Sequence, residues 1–265
     1  PTDNADLSMI QSILNEYEFV ITEPNAYSDF IYVKLGSTSP YEFVAAYELI
    51  KEALGNIAEI EMDGVCFLGS TIVPEDPSYD VQWHHENIDS NRAWEISTGN
   101  DSIIIAVLDT GINTSLAEFS GRLVAGYNFV NNDDNPTDDD GHGTSVASVI
   151  AANTNNGVGG TGLDWNCRIM PVKILDDSGV GLYSWMISGI NFARENGANI
   201  INLSAGGSSA SLPMTEAVDN VISSGIIFVT VSHNNGEEVI WFPGSLEQSI
   251  CVGSVDINDY RASTS

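Results

Sequence analysis

Apolar residues in this chain fall into short continuous runs separated by stretches of helical spacing. Ile103-Ile104-Ile105-Ala106-Val107-Leu108 is apolar at every position, as a strand covered on both faces requires. Runs of the same texture predict strands at 168–174, 199–203, 226–231 and 250–254. Between them, a 3.6-residue period predicts helices near 142–152, 182–196 and 212–224. Strands alternating with helices predict an α/β fold, a parallel sheet with helices on both faces.

The first 73 residues have a different texture. They suggest a short helix at 7–16 and a strand at 30–35 ended by Gly36. A second helix, opened by Ser39-Pro40, carries Phe43, Val44, Tyr47, Ile50 and Leu54 on one face, and an alternating strand follows at 57–61. That order predicts a small α+β domain over 1–73. Pro74-Glu75-Asp76-Pro77 reads as an exposed linker, because two prolines and two acids do not suit a central strand. The expected organisation is therefore 1–73, a linker and domain start at 74–87, and the α/β domain at 88–265.

Composition narrows the function. The chain has 265 residues, with 37 acidic against 8 basic side chains and a net charge of −29. That balance excludes a nucleic-acid footprint and disfavours an anionic membrane surface. No apolar run reaches the roughly 18 residues of a membrane span. The acids are spread among apolar periodicity, so they read as a solvated surface suited to secreted or salty conditions. Cys66, Cys167 and Cys251 lie in or beside apolar segments and read as buried, inert thiols without zinc spacing. The chain begins with Pro and ends inside a strand-turn pattern, so both ends read as cuts from a longer protein.

The chemistry-bearing residues follow the first long strand. Asp109-Thr110-Gly111 ends the run at 103–108, where an open parallel sheet gathers its functional groups. Gly141-His142-Gly143-Thr144 opens the next helix, with small residues that permit close packing on the sheet. A carboxylate that fixes a histidine tautomer is half of a charge relay; the nucleophile is the missing part.

Val107-Leu108-Asp109-Thr110-Gly111-Ile112 and Gly141-His142-Gly143-Thr144-Ser145-Val146-Ala147 resemble the Asp and His signatures of subtilisin-like serine proteases. Pro171-Val172-Lys173-Ile174-Leu175 and Ile201-Asn202-Leu203-Ser204-Ala205-Gly206-Gly207 are similar to further family motifs, in the same order. The resemblance spans roughly 74–265 and implies a serine-type endopeptidase with Asp109 and His142 as catalytic residues. Asn234 matches the oxyanion asparagine, within Val231-Ser232-His233-Asn234-Asn235-Gly236, although His233 stands where glycine is usual. The family serine lies roughly 160 residues after its histidine, more than the chain holds after His142, so the nucleophile is expected beyond Ser265 and the chain alone is expected to be inactive.

The same resemblance implies that a polypeptide substrate adds as a strand between Gly179-Val180-Gly181 and Leu203-Ser204-Ala205-Gly206. Residues 1–73 look like the family's propeptide, an intramolecular inhibitor that occupies the cleft until cleavage near 70–86. No cofactor is needed for the chemistry. A structural calcium is implied at Asp76, Glu118, Asn155 and Asn156. The acids Asp133, Asp134, Asp138, Asp139 and Asp140 read as a solvated loop, with a site for another ion as the alternative. A monomer, secreted or at the cell surface, is expected.

Other readings are weaker. An aspartic protease pairs two such carboxylates in an all-β pattern, and this chain has one Asp-Thr-Gly. A nucleotide-binding Rossmann fold needs GxGxxG after its first strand. The alternative that survives is a non-catalytic subtilase-fold module that binds peptides or inhibits.

Overall fold

A computed structural model of the chain describes residues 71–265 except Asn235 and Glu237, and, in the N-terminal part, Ser12, Val20–Thr22, Tyr32–Lys34, Glu48, Lys51 and Glu52. The chain divides into two compact units, Pro1–Gly69 and Ser70–Ser265.

In the first unit β1 (Val20–Thr22) pairs antiparallel with β2 (Tyr32–Lys34), Val20 opposite Lys34. Strand β2 lies inside the run expected at 30–35; β1 was not expected. Ser12, Glu48, Lys51 and Glu52 are helical, within the two helices read from the sequence. The strand expected at 57–61, and Cys66, lie outside the described residues.

The second unit opens with two short helices, α1 (His84–Asn87) and α2 (Ser90–Ile96). Six parallel strands follow: β3 (Ile104–Asp109), β4 (Tyr127–Asn128), β5 (Arg168–Lys173), β6 (Ile200–Leu203), β7 (Ile227–Val231) and β8 (Ile250–Val252). Their order across the sheet is β4-β5-β3-β6-β7-β8, so β3 is central. Three longer helices, α3 (His142–Ala151), α4 (Tyr183–Glu195) and α5 (Leu212–Ser223), cover it. This is the α/β class expected. None of the described helices is long and apolar enough to cross a membrane.

Strand alternation explains why both faces need helices. Ala106 and Leu108 join Met170, Val172, Ile190, Val218 and Val221 in the core under α4 and α5. Ile105 and Val107 point the other way, into a second core with Ile169, Ala147 and Ala151 of α3. Every β3 residue from Ile105 to Asp109 is buried. At roughly 25 cal/mol per Å² of apolar area, this two-sided burial is the main driving force for the sheet. Cys167 is fully buried and free, and burial pushes its thiol up to about 11. Cys251 is only half-buried, because its strand β8 ends the sheet.

The linker at 74–77 differs from the sequence reading. Glu75 and Pro77 are exposed, but Pro74 is buried and Asp76 is only 5% exposed. The carboxylate of Asp76 accepts from the backbone N–H groups of Asn155 (2.7 Å), Asn156 (3.0 Å) and Gly157 (3.3 Å) and from Thr161 Oγ1 (2.8 Å). A buried carboxylate needs such donors, and the loop at 155–157 supplies them.

Candidate active site

The carboxyl end of β3 carries Asp109, fully buried. Helix α3 starts at His142 and runs over that strand end. Gly143 makes the approach possible: a Cβ there would lie 2.2 Å from Gly111 O and 3.0 Å from Asp109 Cβ. The close approach brings His142 Nδ1 to 2.7 Å from Asp109 Oδ1. The second donor to that oxygen is Thr110 N–H, at 2.8 Å.

Burial pushes the Asp109 carboxyl up, opposed by the hydrogen bonds from His142 and Thr110. A buried acceptor on Nδ1 keeps the proton there, leaving Nε2 as the basic nitrogen. The His142 side chain is 52% exposed, while that of Asp109 is wholly enclosed. One nitrogen is thus fixed by a shielded carboxylate and the other is free to work at an open surface. Among the described residues no hydroxyl is hydrogen-bonded to the His142 ring.

The helix N-terminus is built by acids. Asp140 Oδ1 accepts from His142 N–H (3.0 Å), Thr110 Oγ1 from Gly143 N–H (2.9 Å) and Asp138 Oδ2 from Thr144 N–H (2.9 Å). These are the donors a helix leaves unpaired at its start, and the carboxylates also match its dipole. Asp138 accepts Thr110 Oγ1–H as well, at 2.8 Å, and the Thr144 hydroxyl. Burial would raise its pKa, but the Thr144, Gly141 and Thr110 hydrogen bonds win and hold it down at about 2. Asp139 Oδ1 meets Lys173 Nζ at 2.6 Å. Three members of the loop read from sequence as solvated acids, 138–140, therefore have structural partners. The signal was present: acids just before a helix start satisfy its free N–H groups.

A cleft of about 500 Å³ opens beside His142. Gly179, Val180, Gly181, Ser204, Ala205 and Gly206 line it, as expected of the two substrate edges. Leu203 does not; it is fully buried in the core, because alternation along β6 turns it away from the surface. Sequence reasoning missed the contributions of Tyr183, Met186 and Trp241, whose aromatic and apolar types carry no motif. Asn234 is exposed and follows His233, which does line the cleft. His233 has φ +80°, the left-handed region, at a cost of about 1–3 kcal/mol for a side-chain-bearing residue.

Asp76, Glu118, Asn155 and Asn156 do come together. Asn156 Nδ2 donates to Glu118 Oε2 at 2.7 Å, and Asn155 Oδ1 accepts from Glu75 N–H at 2.8 Å. Both Asp76 oxygens already face N–H and O–H hydrogens. As bonded, the four form a hydrogen-bonded clamp and not an oxygen cage, so they do not fit calcium in this arrangement. Among the described residues no group of three or more His, Cys, Asp or Glu side chains is arranged to hold a metal.

Comparison with known proteins agrees with the geometry. Residues 100–265 match the subtilase family, peptidase S8. The chain is 35% identical over 224 residues to the thermophilic serine proteinase of Bacillus sp. (strain AK1), covering 84% of this chain and 56% of that protein. It is 34% identical to thermitase of Thermoactinomyces vulgaris over 72% of this chain and 69% of thermitase. Among solved structures, a protease from Pseudoalteromonas arctica PAMC 21717 superposes with a TM-score of 0.67 at 29% identity, over 72% of this chain and 68% of that one. The chain thus spans little more than half the length of the first of these relatives.

Proposed function

The chain belongs to the subtilase family of serine proteases, and from that premise we propose that its intact protein is a serine-type endopeptidase working through an Asp-His-Ser triad. The observation that carries the proposal is the 2.7 Å contact between a fully buried carboxylate and a half-exposed imidazole at the mouth of a cleft.

In this reading Asp109 holds the Nδ1–H tautomer of His142 and stabilises its cationic form. Nε2 takes the proton of a serine hydroxyl and later delivers it to the leaving amine. That serine is proposed beyond residue 265. Asn234 donates its side-chain amide to the oxyanion; its position next to cleft-lining His233 supports the role. The substrate is a polypeptide, added as an extended strand against 179–181 and 204–206, where glycines permit close approach.

Residues 1–73 are proposed to restrain the enzyme until removed. N-terminal sequencing of the mature product should then find a start between 70 and 86. The acidic balance of −29 supports a secreted or cell-surface setting. No step of the chemistry runs through calcium. The test is hydrolysis of a denatured polypeptide by the natural gene product. Activity should be clear in the wild type and fall by about 10⁶ in kcat for His142→Ala. A folded, matured protein with no activity would leave a peptide-binding module instead.

A further inference from the structure

His233 is held in the cleft against its own backbone preference. Its φ of +80° lies where glycine is at ease and other residues persist only when their surroundings fix them. Trp241 supplies the fixing contact: the two rings stack with centroids 4.0 Å apart and planes 27° from parallel. Both side chains line the cleft that contains His142.

The orientation of the ring follows from its two edges. Nδ1 is buried and has no hydrogen-bond partner among the described residues. An orphaned buried N–H is costlier than an orphaned acceptor, so the proton belongs on Nε2. The opposite edge, carrying Cδ2 and Nε2, faces Gly206: a Cβ built on Gly206 would lie 3.8 Å from His233 Cδ2. Gly206 itself lines the cleft. The ring edge that carries Nε2 is thus the one nearest Gly206, a residue of the cleft wall.

Asn234 follows His233 in the chain. With Asn234 at the oxyanion, the carbonyl under attack lies between it and His142. The side chain of the residue that owns this carbonyl then lies beside residue 233.

We propose that His233 is a specificity-determining residue: held by Trp241, its Nε2–H donates to an uncharged side-chain oxygen, amide or hydroxyl, on the substrate residue just before the scissile bond. This rests on reading the cleft as a peptide site. A bulky apolar side chain would bury the N–H without a partner, the situation that a polar site rejects most strongly. A carboxylate is disfavoured because Asp140 lines the same cleft in a chain of net charge −29.

The test uses the natural gene product and peptides differing only at that residue, as Asn, Ser, Leu, Phe or Asp. The near-isosteres Asn and Leu isolate the hydrogen bond. Asn is expected to exceed Leu by about tenfold in kcat/KM. His233→Gly should bring that ratio to about one. His233→Asn, which tolerates a positive φ and keeps an N–H, should restore part of it. Wild-type preference for Leu, Phe or Asp over Asn overturns the proposal. So does an equal fall for every peptide in His233→Gly, which would make His233 a support for Asn234 and not a selector. Hydrolysis of no peptide at all overturns the peptidase reading and this proposal with it, and is distinct from both of those results.

Discussion

Lys173 stands directly opposite Asp109 in the parallel register of β5 and β3, yet it donates elsewhere. Its Nζ lies 2.6 Å from Thr110 O, 2.6 Å from Asp139 Oδ1 and 2.8 Å from Leu175 O. The side chain is almost wholly buried, and all three ammonium hydrogens are used. One buried cation thus ties together the turn after Asp109, the loop before helix α3 and the cleft-lining Leu175. Asp109 is left to His142.

Replacing Lys173 with Met should therefore loosen three segments at once. Two carbonyls lose their donor, while the half-exposed Asp139 returns to water. A loss of about 3 kcal/mol is expected, a drop of roughly 6–12 °C in melting temperature. Asp139→Asn should cost less, since both carbonyl bonds survive. Calorimetry of the two variants checks the order; equal melting temperatures for Lys173→Met and wild type would contradict it.

Asp109→Asn tests the role of the shielded carboxylate. An amide at the same place no longer selects the Nδ1–H tautomer, so kcat of the intact enzyme should fall by about 10⁴ with little change in KM. Steady-state kinetics on one peptide is sufficient. A loss below about tenfold would mean that His142 needs no orienting group.

Acid should destabilise the domain in two steps. Burial lowers the pKa values of His84 and, with the neighbouring His84 charge and against the Thr161 hydrogen bond, of His85. A folded-state pKa below the unfolded one means protons bind the unfolded chain more tightly. This stability is present above about pH 6.5 and lost as pH falls through the folded values. The second step belongs to Asp138, held down at about 2: its contribution fades as pH falls from the ordinary carboxylate range toward that value. Melting temperature against pH should show the first slope, and His84→Gln should reduce it. An unchanged slope in His84→Gln would refute the assignment.

The Asp76 clamp predicts stability without a metal at that place. Asp76→Ala should cost about 2–4 kcal/mol, because three backbone N–H groups and a buried hydroxyl lose their acceptor. A chelator should shift the melting temperatures of the wild type and Asp76→Ala by the same amount. A chelator-induced fall confined to the wild type would show that a cation reorganises the four residues.

The sheet was legible in the sequence because two-sided burial leaves an unmistakable mark: 103–108 is apolar throughout, and β3 formed within one residue of it. Strand β4, two residues long, leaves no such mark. The Asp109–His142 pair was legible because Asp-Thr-Gly ends the first long apolar run and glycines flank His142. The roles of Lys173 and Trp241 were not, since one depends on contacts across 34 and 63 residues and the other on a ring stack that no local pattern records. Asp76 misled for the same reason: its donors lie 79 to 85 residues away, so a buried acceptor looked like a linker acid.

The central claim is that Asp109 and His142 activate a serine. A fluorophosphonate probe on the natural gene product, followed by peptide mapping, tests it most directly. One labelled serine is expected, with labelling abolished in His142→Ala. A folded, mature protein that takes no label, or a His142→Ala variant labelled as fast as wild type, would contradict it.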